Sequence, residues 1–139
     1  MKTIKYVFLI LLIAGGSFSC ENEDELSIES LDESALVGCW TNSYEEGDGI
    51  YRGCQSQSFP ASRFRQVFEF RADFTCDYLV LASNDAHYLQ EGRWSFNDER
   101  NEVSILDLEG NALLSFVITD ANQESITILV TSQNKFIGD

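Results

Sequence analysis

His87 is the chain's single histidine, and Asp85 lies two residues before it with Asn84 adjacent. A carboxylate near an imidazole can fix the ring's tautomer, which is how a general base is held to its task. No nucleophile stands at motif spacing to this pair. Gly-x-Ser-x-Gly, His-Glu-x-x-His, Cys-x-x-Cys and phosphate-cradling glycine loops do not occur in the sequence. The plainer reading is a polar loop between two strands, and the expectation is a protein that is not an enzyme and carries no cofactor. Glu45, Glu46 and Asp48, in a glycine-bearing loop, offer hard oxygens of the kind calcium takes. They do not follow the EF-hand pattern, so a solvated acidic loop is preferred and no metal is expected.

The strongest candidates for a site are aromatic. Trp40, Phe64, Phe68, Phe70, Tyr78, Tyr88, Trp94, Phe96 and Phe116 fall at alternating positions in apolar runs, with Gln66 and Gln90 as polar groups among them. A mostly apolar pocket with a few placed polar groups is what a small-molecule site looks like. Trp40, Phe68, Phe70, Tyr78, Tyr88, Trp94, Gln66 and Gln90 are therefore the candidate ligand-binding residues. The same set also describes a filled core, because small barrels often have interiors just wide enough for their own side chains.

These residues need strands to hold them. Phe64, Gln66, Phe68 and Phe70 alternate with Arg63, Arg65, Val67, Glu69 and Arg71, a period of two with one apolar face. A three-residue loop after Arg71 would set Phe70 across from Cys76 and Phe68 across from Tyr78. Tyr88 to Phe96, Val103 to Ile105, Leu114 to Ile118 and Ile126 to Val130 repeat the alternation between short polar turns. With Leu36 to Tyr44 in front and Lys135 to Ile137 behind, the count is seven or eight strands, and only the connection from Glu45 to Ser62 is long. Sequential strands with no helix-length crossover indicate an all-β antiparallel up-and-down barrel, which removes its own edges by closing. A β-sandwich is the alternative fold.

The N-terminal segment explains where such a barrel would work. Lys2 and Lys5, an apolar run from Tyr6 to Ala14, and Gly15, Gly16 and Ser17 have the order of a secretory signal peptide covering residues 1–19. Ser19-Cys20 resembles the lipobox of bacterial lipoproteins, in particular those of the Bacteroidetes type. The acidic Glu21, Glu23, Asp24 and Glu25 resemble that group's surface-export signal. The resemblance implies a lipid, palmitate-like in its chains, attached at Cys20, and a protein held on the outer membrane or cell surface.

Residues 20–35 then read as an acidic tether and 36–139 as the domain. Ser30 and Glu33 have capping-box spacing for a short helical turn ahead of Ala35 and Leu36. The chain carries nine Lys and Arg against twenty-three Asp and Glu, a formal charge of −14, and loss of Lys2 and Lys5 with the signal takes this to −16. Such a surface argues against nucleic acid and against adsorption to anionic lipid heads, leaving the anchor as the contact with the membrane. Among the remaining cysteines, Cys76 shares the inward face with Tyr78 and should be a buried thiol. Cys39 should face outward beside inward Trp40, with Cys54 its expected disulfide partner.

Gly38-Cys39-Trp40 is similar to the Gly-x-Trp motif of lipocalins. The tract Phe68 to Asp77 followed by Glu91-Gly92-Arg93-Trp94 resembles the repeated pattern of bacterial lipocalin-like lipoprotein domains, over about residues 36–131. Phe74 stands at a turn position where such domains often carry glycine. The resemblance implies an anchored protein that binds a small apolar or amphipathic ligand in its barrel. The alternative is a filled barrel acting as an interaction or inhibitor module through its loops, its exposed edge and an outer apolar patch around Val67, Leu79, Leu81 and Val117. In the Gly-x-Trp segments, glycine and Trp share a face, so the missing side chain is expected to leave room beside the indole.

Overall fold

The computed structural model describes residues 28–134 together with 137 and 138. The signal peptide, Cys20 and the tether as far as Ser27 lie outside them. The described chain forms a short 3-10 turn at Ile28–Ser30, α1 (Glu33–Leu36), and strands β1 (Gly38–Asn42), β2 (Ile50–Gly53), β3 (Val67–Phe70), β4 (Thr75–Ala82), β5 (His87–Asn97), β6 (Glu102–Leu106), β7 (Ala112–Ala121), β8 (Ser125–Gln133) and β9 (Ile137–Gly138).

The fold is a closed eight-stranded antiparallel up-and-down barrel. Strands β3 to β8 pair in sequence order. The first hairpin then closes the ring with β1 beside β3 and β2 beside β8, while β9 adds a short parallel pairing to β4. The predicted register holds, with Phe68 opposite Tyr78 and Phe70 opposite Cys76. The turn between them places Phe74 at φ 64°, the left-handed region where glycine is usual. Its ring packs 5.6 Å from that of Trp94, and its carbonyl accepts from the Trp94 main-chain N–H. That packing holds a bulky residue in a conformation usually left to glycine.

Three boundaries differ from the sequence reading. The long connection from Glu45 to Ser62 contains β2, the four residues Ile50–Gly53 that directly follow Gly49. Residues 28–35 are not tether: Leu31 and Leu36 are buried in the core, plugging the end of the barrel where β1 begins. The cap of α1 is Asp32, whose side chain accepts from the Ala35 N–H at 3.1 Å; Ser30 is not the cap. An aspartate directly before the helix reaches its first free amides.

Because β1 lies between β2 and β3, the chain from Cys54 to Gln66 has to cross β1 on the outside. Cys39 and Cys54 form a disulfide at the start of this crossing. Thr41, on the outward face of β1, is buried beneath it. Arg65 fixes the far end: it donates to the carbonyls of Asn42 and Pro60, pairs with Glu45 and lies over the Tyr44 ring at 4.4 Å. The alternation read from Phe64 through Gln66 is therefore crossover, not strand. Phe64 packs edge-on against His87 instead of pointing inward.

Candidate functional site

The inward faces meet in rows across the barrel. Gly53, Trp40, Phe68, Tyr78 and Gln90 form one row through successive pairings, and Gly38, Phe70, Cys76 and Gly92 form the next. In the ring of eight, β3 and β7 stand opposite one another. The rings of Phe68 on β3 and Phe116 on β7 nevertheless stack 5.8 Å apart, directly across the interior. Tyr51 stacks on Phe68 at 5.5 Å, Phe70 on Phe68 at 5.8 Å, and Trp94 tilts onto Phe70 at 4.9 Å. Ring contacts at these spacings are those of a packed core. At this level the side chains of the barrel occupy its own interior.

Of the eight candidate ligand residues, Trp40, Phe68, Phe70, Tyr78 and Trp94 are buried together in this core. Both indole N–H groups are used by the fold: Trp40 Nε1 donates to the Leu36 carbonyl and Trp94 Nε1 to the Arg71 carbonyl, each at 2.9 Å. Gln66 donates to the carbonyls of Val67 and Leu79, so its amide serves the backbone. Tyr88 and Gln90 keep the inward parity but are exposed, Tyr88 at 43%. They lie beyond the point where β6 ends, since β5 pairs with β6 only from Arg93 onward. Val130, also expected inside, is exposed beside a register shift in β7.

Tyr51 is the core aromatic that sequence reasoning missed. Its only local signal was the short Ile50-Tyr51-Arg52 alternation between glycines. Burial pushes its hydroxyl up to about 12, and does the same for Tyr78 and for the buried Cys76 thiol.

The other candidate chemistry is taken up by ion pairs. The Asp85 carboxylate meets Arg63 at 3.0 Å, while the His87 ring rests on Phe64. Glu45 is held by Arg65, and Glu46 by Arg52 and the Ser43 hydroxyl, which draw the Glu46 carboxyl down to about 2. Carboxylates neutralised in this way are poor ligands for a cation. Among the described residues, no group of three His, Cys, Asp or Glu is placed to hold a metal.

Among the described residues, the outer surface carries open depressions. One is lined by Ile28, Glu29, Asp98 and Asn101, and another lies against the disulfide and Glu69. The outer apolar patch expected around Val67, Leu79, Leu81 and Val117 is divided. Leu79 pairs with Leu89 next to Val67 on one side of the barrel, and Val117 pairs with Leu129 on β7 and β8. No family model, curated protein or solved structure matches this chain.

Proposed function

We propose that this protein is a lipid-anchored, non-enzymatic interaction module of the bacterial cell surface, with the barrel as a filled scaffold. The observation that carries the reading is the Phe68–Phe116 stack across the interior, which leaves no chamber for a ligand at that level. The signal-like residues 1–19 and the lipobox-like Ser19-Cys20 support the anchor. Two or three acyl chains, at about 0.8 kcal/mol per buried methylene, anchor a protein stably where a single chain binds only marginally.

Ile28 enters the fold at the end plugged by Leu31 and Leu36. Seven residues lie between it and Cys20, eight chain steps with a reach of at most about 28 Å when fully extended. The anchor would thus hold the plugged end toward the membrane and turn the β4–β5 tip, at Ala82 to His87, away from it. Native mass spectrometry of the protein purified from its host tests both parts. The expected species begins at Cys20, carries an acyl mass and retains no small molecule. An unacylated chain overturns the anchor, and a stoichiometric ligand overturns the filled scaffold.

A further inference from the structure

The β4–β5 hairpin projects past its neighbours, and its two edges are treated differently. On the β4 side, Gln66 Nε2 donates to the Leu79 carbonyl at 3.0 Å, and β9 pairs with Leu81 and Ala82. On the β5 side, β6 pairing begins only at Arg93, and residues 87–91 are exposed. Ala82 N donates to Ala86 O, and Trp94 N to Phe74 O. The even-numbered residues of β5 therefore bond toward β4, which turns the N–H and C=O of His87, Leu89 and Glu91 to the open side. An edge that is bare among the described residues is a template for another strand.

We propose that the occupant is a second copy of this chain, paired antiparallel through β5 about a two-fold axis at Leu89. In that register Leu89 meets Leu89 of the partner subunit, and His87 meets Glu91 of the partner subunit. Each of these three residues exchanges both of its outward main-chain hydrogen bonds. The side chains agree with the backbone. Leu79 and Leu89 already form an outward pair next to Val67, and Leu89 is 56% exposed. The two-fold joins this apolar row to its copy, and it sets imidazole against carboxylate where an unrelated register would leave Glu91 unmatched.

No lysine or proline guards the segment from His87 to Gly92. The contact is small, and each copy carries a formal charge of −14 or below. The dimer is therefore weak, and it tightens as salt screens the mutual repulsion.

The inference takes from the proposed function only the idea that contacts are made on the outer surface; because the two-fold turns the two plugged ends in opposite directions, it joins copies anchored in facing membranes or freed from the anchor, not neighbours on one membrane. It is tested on the protein purified from its host in detergent, by sedimentation over a range of salt concentrations. The parent chain should dimerise reversibly and more tightly at higher salt. Leu89→Lys opposes two like charges at the axis and should weaken the dimer by at least about tenfold, with tryptophan fluorescence unchanged. Leu89→Cys should give a covalent dimer under mild oxidation, because Cα atoms in a hydrogen-bonded antiparallel pair are about 5.5 Å apart, within disulfide reach. Leu129→Cys, exposed on an interior strand, is the control. A parent that stays monomeric at every salt concentration overturns the proposal. So does a Leu89→Lys chain that dimerises like the parent, or a Leu89→Cys chain that cross-links no faster than the control.

Discussion

The two Gly-x-Trp segments share spacing, face and the plugged end of the barrel, yet their glycines are there for different reasons. A Cβ on Gly38 would meet nothing within 4 Å, but the residue sits at φ 143°, where L side chains are rarely found. Gly92 has no such backbone, and a Cβ there would lie 2.5 Å from the Leu106 carbonyl oxygen and 3.0 Å from the Tyr78 ring. One glycine lets the chain turn from α1 into β1; the other lets three strands close around Tyr78 and Cys76. The room expected beside the indole is the wrong account of both. A shared motif therefore does not transmit a shared cause, and the difference appears only when the neighbours are in place.

The indoles differ less than the glycines, and their removal should give the largest effects. Trp94 is 2% exposed and touches the rings of Phe70 and Phe74, whereas Trp40 is 7% exposed and is anchored mainly through its bond to Leu36. Truncating a core Trp typically costs about 3–5 kcal/mol. Trp94→Ala should fall at the upper end of that range and Trp40→Ala at the lower, measured by urea denaturation. Losses below about 1 kcal/mol in both would sink the structural role of the indoles.

Substituting the glycines sharpens the contrast. Gly92→Ala forces a methyl onto a backbone oxygen, and overpacking of this kind costs about 1–3 kcal/mol or more. Gly38→Ala meets no atom but holds alanine in a disfavoured region, at a cost of about 1–3 kcal/mol. The energies overlap, so the discriminating readout is the thiol. Cys76 lies 3.6 Å from the added methyl at position 92, and burial holds its thiol up at about 12. With the thiolate suppressed, Cys76 should be inert to thiol reagents at neutral and mildly alkaline pH in the parent and in Gly38→Ala, and reactive in Gly92→Ala. Equal protection in both variants would mean that Leu106 and Tyr78 give way without opening the core.

How much of this was legible follows from the range of each cause. The pairs Phe68–Tyr78 and Phe70–Cys76 were readable because alternation and one tight turn, both local, settle them. The crossover was not. Nothing between Cys54 and Gln66 says that β1 will choose β3 over a place next to β8, and the alternation at Phe64 and Gln66 looks like strand until that choice is made. Tyr51 escaped because four residues among glycines carry too little pattern. The eight candidate ligand residues were read as one face by parity, and parity is right for all that lie on strands. What parity cannot give is how far the neighbouring strand extends, and that is why Tyr88 and Gln90 lie outside the core that Tyr78 occupies.

That boundary yields the smallest expected effect. Tyr78 and Tyr88 both belong to the inward set, on adjacent strands, and a model in which the barrel encloses the whole aromatic face would make their loss comparable. The stagger of the strands says otherwise. Leu106, the last residue of β6, pairs with Arg93, so Tyr88 lies five residues beyond the ladder's end with solvent where β6 would have been. The residue is 43% exposed, and its ring has no aromatic neighbour among the described stacking pairs. Substitutions at such sites usually move stability by less than about 0.5 kcal/mol. Tyr88→Ala should stay within that limit in urea denaturation, where Tyr78→Ala should cost several-fold more. A loss above about 2 kcal/mol at Tyr88 would mean that the mouth closes over it in solution, and would return Tyr88 and Gln90 to the interior as the lining of a chamber.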